Sequence, residues 1–367
     1  MMSASDITTL ARRGVRALPR YAPDVTPCAV DVSDNVNLWG APPAALRALT
    51  TTAMAASRYP SVYATPLRDA VLRYLGFSPG TGVDVVSACG SDDVLDATMR
   101  AFGEPGDEIV FAEPTFTMIP VLARLNGLVP VAVPMTSDYG VDPQQLVDRR
   151  AKITYLCTPN NPTSTALSRE TVEYVARHAA GLVVIDEAYA EFAPESFVGL
   201  VTTVQRLVVI RTFSKAFGLA GLRVGYGVGQ ADVVEPIVRA RGPYKVNALA
   251  ESAAVAALGE GPDGIEWVTA HTALAVANRA RLAAELRRLG FVPAPPAGNF
   301  LFVPVARAHA IAEAMCRRGV LVRALSGLPQ MIPALAATGG DALRIGVGPW
   351  DAMERVLDTL VEALACA

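Results

Sequence analysis

The chain has 367 residues and a formal net charge of −3, with 51% hydrophobic and 18% charged residues. This composition excludes a disordered chain, because it supplies ample apolar surface for a core. The basic residues form no run and the apolar stretches fall short of the ~20 residues that span a bilayer, so we expect neither nucleic acid nor a membrane as partner.

The cysteines and the first 20 residues bear on the cellular compartment. The first 20 residues lack the apolar segment of a secretory signal. The cysteines are odd in number and show no CxxC spacing, which argues against a disulfide framework or a zinc site. They are Cys28, Cys89, Cys157, Cys316 and Cys366. We therefore expect a protein of the reducing cytoplasm with no metal.

The first two thirds of the chain read as an arm and a large domain. Residues 1–45 have weak periodicity and several prolines, and we expect an N-terminal arm that packs on other elements. Within residues 46–262, short β-branched runs alternate with Ala- and Leu-rich stretches of helical period. Alternation of this kind predicts crossover units and a mainly parallel sheet with helices on both faces. The runs lie at 109–111, 130–133, 153–157, 182–185 and 207–210.

Residues 263–367 have a different pattern. A long amphipathic helix is predicted from 263 to 289, and Gly290 ends it. A further helix is predicted near 307–318 and another closes the chain. Short strands are predicted at 291–292, 299–303, 320–322 and 343–347. We therefore expect a smaller α+β domain that the long helix links to the large one, and the predicted fold class is α/β.

Polar residues follow three of the predicted strands. Asn161 follows the run at 153–157, Asp186 and Tyr189 follow the next, and Lys215 follows the third between hydroxyl residues. Taken alone, each has a simpler interpretation as a turn former, a helix cap or a surface charge. Ligands of open parallel sheets bind beyond the carboxyl ends of the strands. The coincidence of three such ends therefore favours one site.

An amine, a carboxylate, an amide and several hydroxyl donors together suit a pyridoxal phosphate site. A lysine forms a Schiff base with this cofactor, and a carboxylate keeps the ring nitrogen protonated so that the ring withdraws electrons. The chain has three lysines that could supply the amine: Lys152, Lys215 and Lys245.

The segment from 214 to 225 reads Ser-Lys-Ala-Phe-Gly-Leu-Ala-Gly-Leu-Arg-Val-Gly. It resembles the lysine signature of the fold-type I, class II pyridoxal-phosphate-dependent aminotransferases, above all histidinol-phosphate aminotransferases and their aromatic relatives. The resemblance covers nearly the whole chain in the right order. It implies a fold-type I transferase with a large, mainly parallel α/β domain, a smaller C-terminal α+β domain and an N-terminal arm.

The resemblance also implies roles for residues around the cofactor ring. Lys215 would form the Schiff base and move the proton of the substrate Cα. Asp186 would pair with the ring nitrogen, and Tyr189 and Asn161 would hydrogen-bond the ring hydroxyl oxygen. Phe116 stands where the family stacks an aromatic side chain on the ring, although core packing would also explain it.

The phosphate of the cofactor needs backbone amides and a cation. The segment 89–93 precedes a predicted helical run at 94–102, so that its amides would present a helix N-terminus to the phosphate. Arginine suits bidentate phosphate contacts. The residues implied are Gly90, Ser91, Asp92, Thr212, Ser214 and Arg223. Tyr59 would reach the phosphate in the partner subunit, which implies a homodimer with shared active sites.

Four further residues are implied to bind substrate. Arg344 matches the family arginine that clamps the α-carboxylate, and Arg323 matches a position that helps to hold the phosphate of histidinol phosphate. Tyr21 lies in the arm that covers the substrate, and Asn299 matches a polar position facing the pocket.

The sequence departs from the family pattern in the arm and in two loops. Where the family usually has Asn-Glu-Asn-Pro-Tyr-Gly, residues 35–40 read Asn-Val-Asn-Leu-Trp-Gly. Val36 and Trp39 therefore suggest a changed side-chain preference. Ser164 replaces a glycine, and Lys245 stands where a less charged residue is common.

The main functional hypothesis is transfer of an amino group between an amino acid and a 2-oxo acid in amino-acid biosynthesis, with histidinol phosphate or an aromatic amino acid as the specific substrate. A decarboxylase or oxidase of a biosynthetic pathway on the same fold is an alternative, and a non-catalytic cofactor-binding or regulatory protein is another. A dinucleotide site is not supported, because the glycine-rich segment 225–229 lacks the GxGxxG spacing.

Overall fold

The computed structural model of the chain describes residues 8–18, 20, 26–55 and 57–365. The strands β1 to β12 are Val30–Asp31, Val83–Ala88, Glu108–Glu113, Val129–Pro134, Ile153–Cys157, Leu182–Asp186, Leu207–Thr212, Gly225–Gln230, Phe300–Pro304, Val320–Leu321, Arg323–Leu325 and Ala342–Gly346. The α-helices whose bounds are described, α1 to α13, are Arg13–Arg16, Pro43–Thr52, Thr65–Tyr74, Ser91–Phe102, Met118–Leu125, Pro143–Asp148, Arg169–His178, Ala231–Arg241, Ala248–Ala257, Ile265–Arg288, Ala308–Cys316, Pro333–Ala336 and Trp350–Leu364.

A seven-stranded sheet forms the centre of the molecule, in the order β2-β8-β7-β6-β5-β3-β4. Strand β8 runs antiparallel to both of its neighbours, and the pairs from β7 to β4 are parallel. Every residue of β5, β6 and β7 is buried. Strands covered on both faces are apolar over most of their length, which is why their runs were visible in the sequence. The prediction of a mainly parallel α/β sheet is confirmed.

The glycine-rich segment 225–229 is part of strand β8 and packs beneath helix α4. A Cβ atom on Gly225 would lie 2.4 Å from the backbone nitrogen of Ser91. A Cβ atom on Gly227 would lie 3.0 Å from a methyl group of Val94. These glycines therefore let the start of α4 approach the sheet closely.

A second sheet, of order β11-β12-β9, is antiparallel and has a core of its own. Helix α10 spans both cores: Val268 and Ala275 pack with the large sheet, whereas Leu282 and Leu286 pack with the small one. The arm contacts the C-terminal part of the chain, where β1 pairs in parallel with β10 in a two-stranded sheet. Within the described ranges, no helix is long and apolar enough to cross a membrane.

The strand predicted at 291–292 is wrong, since the chain there has no regular structure. Val292 is 73% exposed, so it has no apolar surface to pack on. The prolines at 293, 295 and 296 lack the N–H donor that a strand ladder needs.

A buried ion pair lies beside the carboxyl ends of β6 and β7. The Nε and Nη2 atoms of Arg211 donate to Oε2 of Glu187 at 2.9 and 2.8 Å, and the two side chains are 7% and 1% exposed. The backbone N–H of Phe197 donates to the other Glu187 oxygen. The pair therefore fixes the loop that begins at Asp186.

Glu187→Gln is expected to lower the free energy of unfolding by about 3–5 kcal/mol, because it leaves the buried Arg211 guanidinium without its closest charge partner. Urea denaturation followed by circular dichroism measures this loss. Glu235→Gln is the matched control: it breaks the exposed pair with Arg239 and should cost less than about 1 kcal/mol. Equal small losses in both variants would contradict a stabilising role for the Glu187–Arg211 pair.

Candidate active site

A cavity of about 420 Å³ opens where the loops after β5, β6 and β7 meet the start of β8. Asn161, Asp186, Tyr189 and Lys215 all line it, as the strand-end pattern in the sequence predicted. Arg344 reaches the same cavity from β12 of the small sheet. The site therefore combines residues from both sheets.

Lys215 lies beyond the end of β7, beside the arm. Its Nζ atom donates to the backbone oxygen of Asp34 at 2.9 Å and lies 5.7 Å from the centre of the Tyr189 ring. Burial, and next the positive charge of Arg344, lower the pKa of the Lys215 amine to about 8. A larger fraction of the amine is therefore neutral near pH 7 than for an exposed lysine, and the neutral form is the nucleophile.

Asp186 is the last residue of β6 and is 3% exposed. Its Oδ2 atom accepts a hydrogen bond from the Tyr155 hydroxyl at 2.8 Å, and its Oδ1 atom accepts one from the Ala188 N–H at 3.0 Å. Burial raises the pKa of this carboxyl to about 6, and the two hydrogen bonds oppose that rise. The carboxylate is thus largely ionised at pH 7 and fixed in orientation.

Tyr189 and Asn161 are tied to the residues around them. The Tyr189 hydroxyl accepts from Nδ2 of Asn35 at 3.1 Å, and the ring packs edge-on against Phe300 at 5.0 Å between centres. Burial raises the pKa of Tyr189 to about 12, so the phenol stays neutral and can donate a hydrogen bond. The Oδ1 atom of Asn161 accepts from Nη1 of Arg344 at 2.8 Å.

An anion-binding geometry lies at the start of helix α4. Ser91 begins the helix directly after Gly90, whose φ is +85°. The Arg223 guanidinium lies against this turn: a Cβ atom on Gly90 would be 2.6 Å from Nη2 of Arg223. Nη1 of Arg223 donates to Oγ of Ser214 at 3.3 Å. Helix N-terminal amides, a guanidinium and a hydroxyl thus converge, which suits a phosphate.

Thr212 and Asp92 complete this end of the cavity. The Thr212 hydroxyl donates to Oγ of Ser214 at 3.0 Å, and both residues line the cavity. Oδ2 of Asp92 lies 3.6 Å from Nη2 of Arg223. Burial raises the pKa of Asp92, against the opposing effects of Arg223 and Lys215.

Two predicted substrate residues lie side by side on the small sheet. Arg323 in β11 is in register with Arg344 in β12. Arg344 is 9% exposed and donates to the backbone oxygen of Ser33, whereas Nη2 of Arg323 lies 2.5 Å from Oδ1 of Asp34. The arm therefore contacts both arginines.

The other predicted residues have varied positions. Phe116 lines the cavity. Asn299 is 2% exposed and donates to the backbone oxygen of Asn35 at 3.0 Å, so it supports the arm and is not among the described residues that line the cavity. Tyr59 is 86% exposed and packs against Tyr244 at 5.0 Å between ring centres, outside this chain's cavity. Tyr21 lies outside the described residues.

Of the four departures from the family pattern, Val36 alone lines the cavity. Trp39 packs against His271, with 6.1 Å between ring centres. Oγ of Ser164 donates to the backbone oxygen of Phe300 at 2.8 Å and accepts from Gly298 N–H at 3.0 Å. Lys245 pairs with Asp93 at 2.9 Å.

Several cavity residues were missed by the sequence analysis. They are Asp34, Met118, Cys157, Ala188 and Ala220, and Tyr155 and Asn35 stand directly behind them as hydrogen-bond partners. Cys157 is paired in register with Asp186, so its position followed from the strand alignment. Burial raises the pKa of its thiol, which keeps the thiol protonated.

The mainly parallel sheet carries an amine, a buried carboxylate and an anion-binding geometry at its carboxyl edge, where α/β enzymes hold their ligands. Residues 29–360 match the family model for aminotransferase class I and II, and the chain belongs to that family. The predictions of an aminotransferase and of the fold-type I architecture are thereby confirmed.

Individual relatives agree with this assignment. The chain is 38% identical to the histidinol-phosphate aminotransferase of Roseiflexus castenholzii, over 98% of this chain and 99% of that protein. It is 35% identical to an aromatic amino acid aminotransferase of Mycobacterium tuberculosis, over 82% of this chain and 86% of that protein. A crystal structure of histidinol-phosphate aminotransferase from Sinorhizobium meliloti in complex with pyridoxal-5'-phosphate superposes with a TM-score of 0.84, at 24% identity over 96% of this chain and 97% of that one.

Proposed function

We propose that the chain binds pyridoxal phosphate and moves an amino group between an amino acid and a 2-oxo acid. The observation that carries this proposal is the convergence, in one cavity, of the Lys215 amine, the Asp186 carboxylate and the anion site at the start of helix α4. Relatives named as histidinol-phosphate and aromatic amino acid aminotransferases support the reaction type.

The residues present fit this cofactor. Because Gly90 has no Cβ atom, the Arg223 guanidinium can lie directly against it. The start of α4 and Arg223 together form one anion-binding site, which we call the anion cradle. Asp186 ends strand β6 and Lys215 follows the neighbouring strand β7, so the carboxylate and the amine lie at the same edge of the sheet. Bound pyridoxal phosphate supplies an aldehyde for an amine and a ring that withdraws electrons from the substrate carbon.

We assign the roles of the chain's own residues from these positions. Lys215 Nζ, neutral at the moment of reaction, would take the proton from the substrate Cα and deliver it to the former aldehyde carbon of the cofactor. Asp186, ionised, holds a proton on the ring nitrogen. Tyr189 and Asn161 orient the ring hydroxyl oxygen, and Phe116 covers one face of the ring.

The remaining contacts divide between phosphate and substrate. Arg344 pairs with the α-carboxylate, because its buried guanidinium lines the cavity and two fixed acceptors orient it. The phosphate group is held by residues at the two loops that form the anion cradle. These are Gly90, Ser91, Asp92, Thr212, Ser214 and Arg223.

We also propose a division of the chain into an arm of residues 1–45, a large domain of 46–262, and a linking helix with a small domain of 263–367. The core on one face of the small sheet, which includes Leu301 and Leu343, is separate from the cores of the large sheet and supports this division. A homodimer is supported by the exposed aromatic pair of Tyr59 and Tyr244, which are 86% and 43% exposed. In such a dimer Tyr59 would contribute to the partner's site. The odd number of cysteines and the lack of CxxC spacing support a location in the reducing cytoplasm.

A half-reaction assay tests the proposed function. Protein loaded with pyridoxal phosphate is mixed with one amino donor at a time, beginning with histidinol phosphate and the aromatic amino acids. We expect the absorbance of the aldehyde form to disappear and one equivalent of oxo product to form. A decarboxylase would release carbon dioxide and keep the aldehyde form through turnover. No spectral change with any donor would overturn the proposal.

A further inference from the structure

The small sheet brings two guanidinium groups to the substrate side of the cavity, and only one of them lines it. Arg344 and Arg323 are in register on neighbouring strands. Among the described residues, Arg344 belongs to the cavity lining and Arg323 does not. A carboxylate needs one guanidinium for a bidentate pair, so Arg344 is sufficient for the α-carboxylate of an amino acid.

The second guanidinium, that of Arg323, forms an ion pair with the carboxylate of Asp34. Nη2 of Arg323 lies 2.5 Å from Oδ1 of Asp34, and the Arg323 side chain is 18% exposed whereas that of Asp34 is 52% exposed. Asp34 itself lines the cavity. Asp34 therefore lies between the cavity and Arg323, and the positive charge of Arg323 is already paired with the Asp34 carboxylate.

The backbone fixes Asp34 in this position. Its carbonyl oxygen accepts a hydrogen bond from Lys215 Nζ at 2.9 Å. The next residue, Asn35, is buried, donates to the Tyr189 hydroxyl and accepts from Asn299. The Asp34 carboxylate is thus preorganised against Arg323.

The charges of Arg344, Arg323 and Asp34 bear on which class of amino donor the site accepts. A phosphate ester carries nearly two negative charges and needs a second cation beside Arg344. To reach Arg323 it would have to displace the Asp34 carboxylate and leave that charge beside a dianion, which is unfavourable. An α-amino acid with an uncharged side chain needs neither step, and Val36 and Met118 offer it apolar surface.

We propose that Asp34 determines substrate specificity by masking Arg323, so that the site uses α-amino acids whose one anionic group is the α-carboxylate and rejects phosphate-bearing amines such as histidinol phosphate. This inference rests on the proposed function. It also changes the role predicted for Arg323, which in this chain pairs with the arm.

The test compares kcat/KM of the half-reaction for two donors, L-phenylalanine and histidinol phosphate. The wild-type protein is expected to favour phenylalanine by at least about tenfold, which corresponds to ~1.4 kcal/mol. Asp34→Asn keeps the shape of the side chain and removes its charge. It should move the ratio towards histidinol phosphate by about tenfold or more, and the double variant Asp34→Asn with Arg323→Gln should lose that gain.

Asp31→Asn is the matched control. Asp31 is an exposed acid of the same arm, and its carboxylate accepts from the backbone and hydroxyl of Ser33. Its substitution should leave the donor ratio within about twofold, since it does not line the cavity. Circular dichroism and cofactor content show that each variant is folded and loaded.

Three outcomes overturn the inference. One is a wild-type protein that uses histidinol phosphate as well as phenylalanine, and another is an unchanged ratio in a folded Asp34→Asn variant. The third is a gain that survives the loss of Arg323. In each of these cases aminotransfer itself still occurs, so the proposed function stands. If no donor in the screen reacts, the proposed function and this inference both fall.

Discussion

Replacing Lys215 by alanine is expected to lower the rate of aminotransfer by about 10⁴-fold or more, because one amine supplies both the nucleophile and the base. Among the described residues, no other amine lines the cavity. Lys152 is exposed elsewhere, and Lys245 pairs with Asp93. Stopped-flow absorbance of the half-reaction with L-phenylalanine, on protein reconstituted with pyridoxal phosphate, measures the loss.

Lys152→Ala serves as the control for the lysine prediction and should retain the wild-type rate. Cofactor content should remain measurable in Lys215→Ala, since the phosphate contacts at the start of α4 are intact. A small primary amine added to this variant should restore part of the rate by replacing the missing base. A folded, loaded Lys215→Ala protein with a rate within tenfold of wild type would remove Lys215 from its proposed role.

Asp186→Asn is expected to lower the half-reaction rate by about 10²- to 10³-fold, the range typical of a lost preorganised electrostatic partner. Asparagine keeps the size of the side chain, its single oxygen can accept from the Ala188 N–H, and its amide nitrogen can donate to the Tyr155 hydroxyl, so the fold should persist. What it loses is the negative charge that holds the ring nitrogen protonated. Exchange of the substrate Cα proton with solvent, followed by NMR, measures this effect directly, and wild-type exchange would contradict the role.

Tyr155→Phe is a milder variant that changes the pKa of Asp186 and leaves its carboxyl group in place. The Tyr155 hydrogen bond lowers the pKa of Asp186, against burial that raises it to about 6. Removing the donor raises this pKa further, so a smaller fraction of the carboxyl is ionised near pH 6–7. The rate of Tyr155→Phe should therefore fall more steeply than wild type as the pH decreases from 8 to 6. A parallel pH profile would show that Tyr155 does not act through Asp186.

Three of the strands that were predicted from the sequence are buried along their whole length. Ile153–Cys157 is apolar except at Thr154, because the strand is buried on both faces. The segment 225–229 was not predicted as a strand, since glycines weaken a strand and give no apolar pattern. They are present because helix α4 approaches β8 too closely for side chains. Only the packing of two distant segments reveals that reason.

The same distinction applies to the site. Asp186 and Lys215 could be placed because they follow strands whose order in a parallel sheet brings their ends together. Asp34 and Asn35 could not, because the arm has no periodicity. Their positions depend on the short pairing of β1 with β10, which joins segments 290 residues apart in the sequence. Tyr155 was overlooked because it lies inside a strand.

The double hydrogen bond of Ser164 has a mechanical consequence. It joins the loop after β5 to β9, which is one edge strand of the small sheet, while β11 is the opposite edge. If the small sheet rotates against the large one, these hydrogen bonds hold the part near β9, which then moves least. Strand β11, at the opposite edge, moves furthest. Opening and closing of the cleft would displace Arg323 further than any residue near the pivot, so the gap between Arg323 and Asp34 would report on that motion.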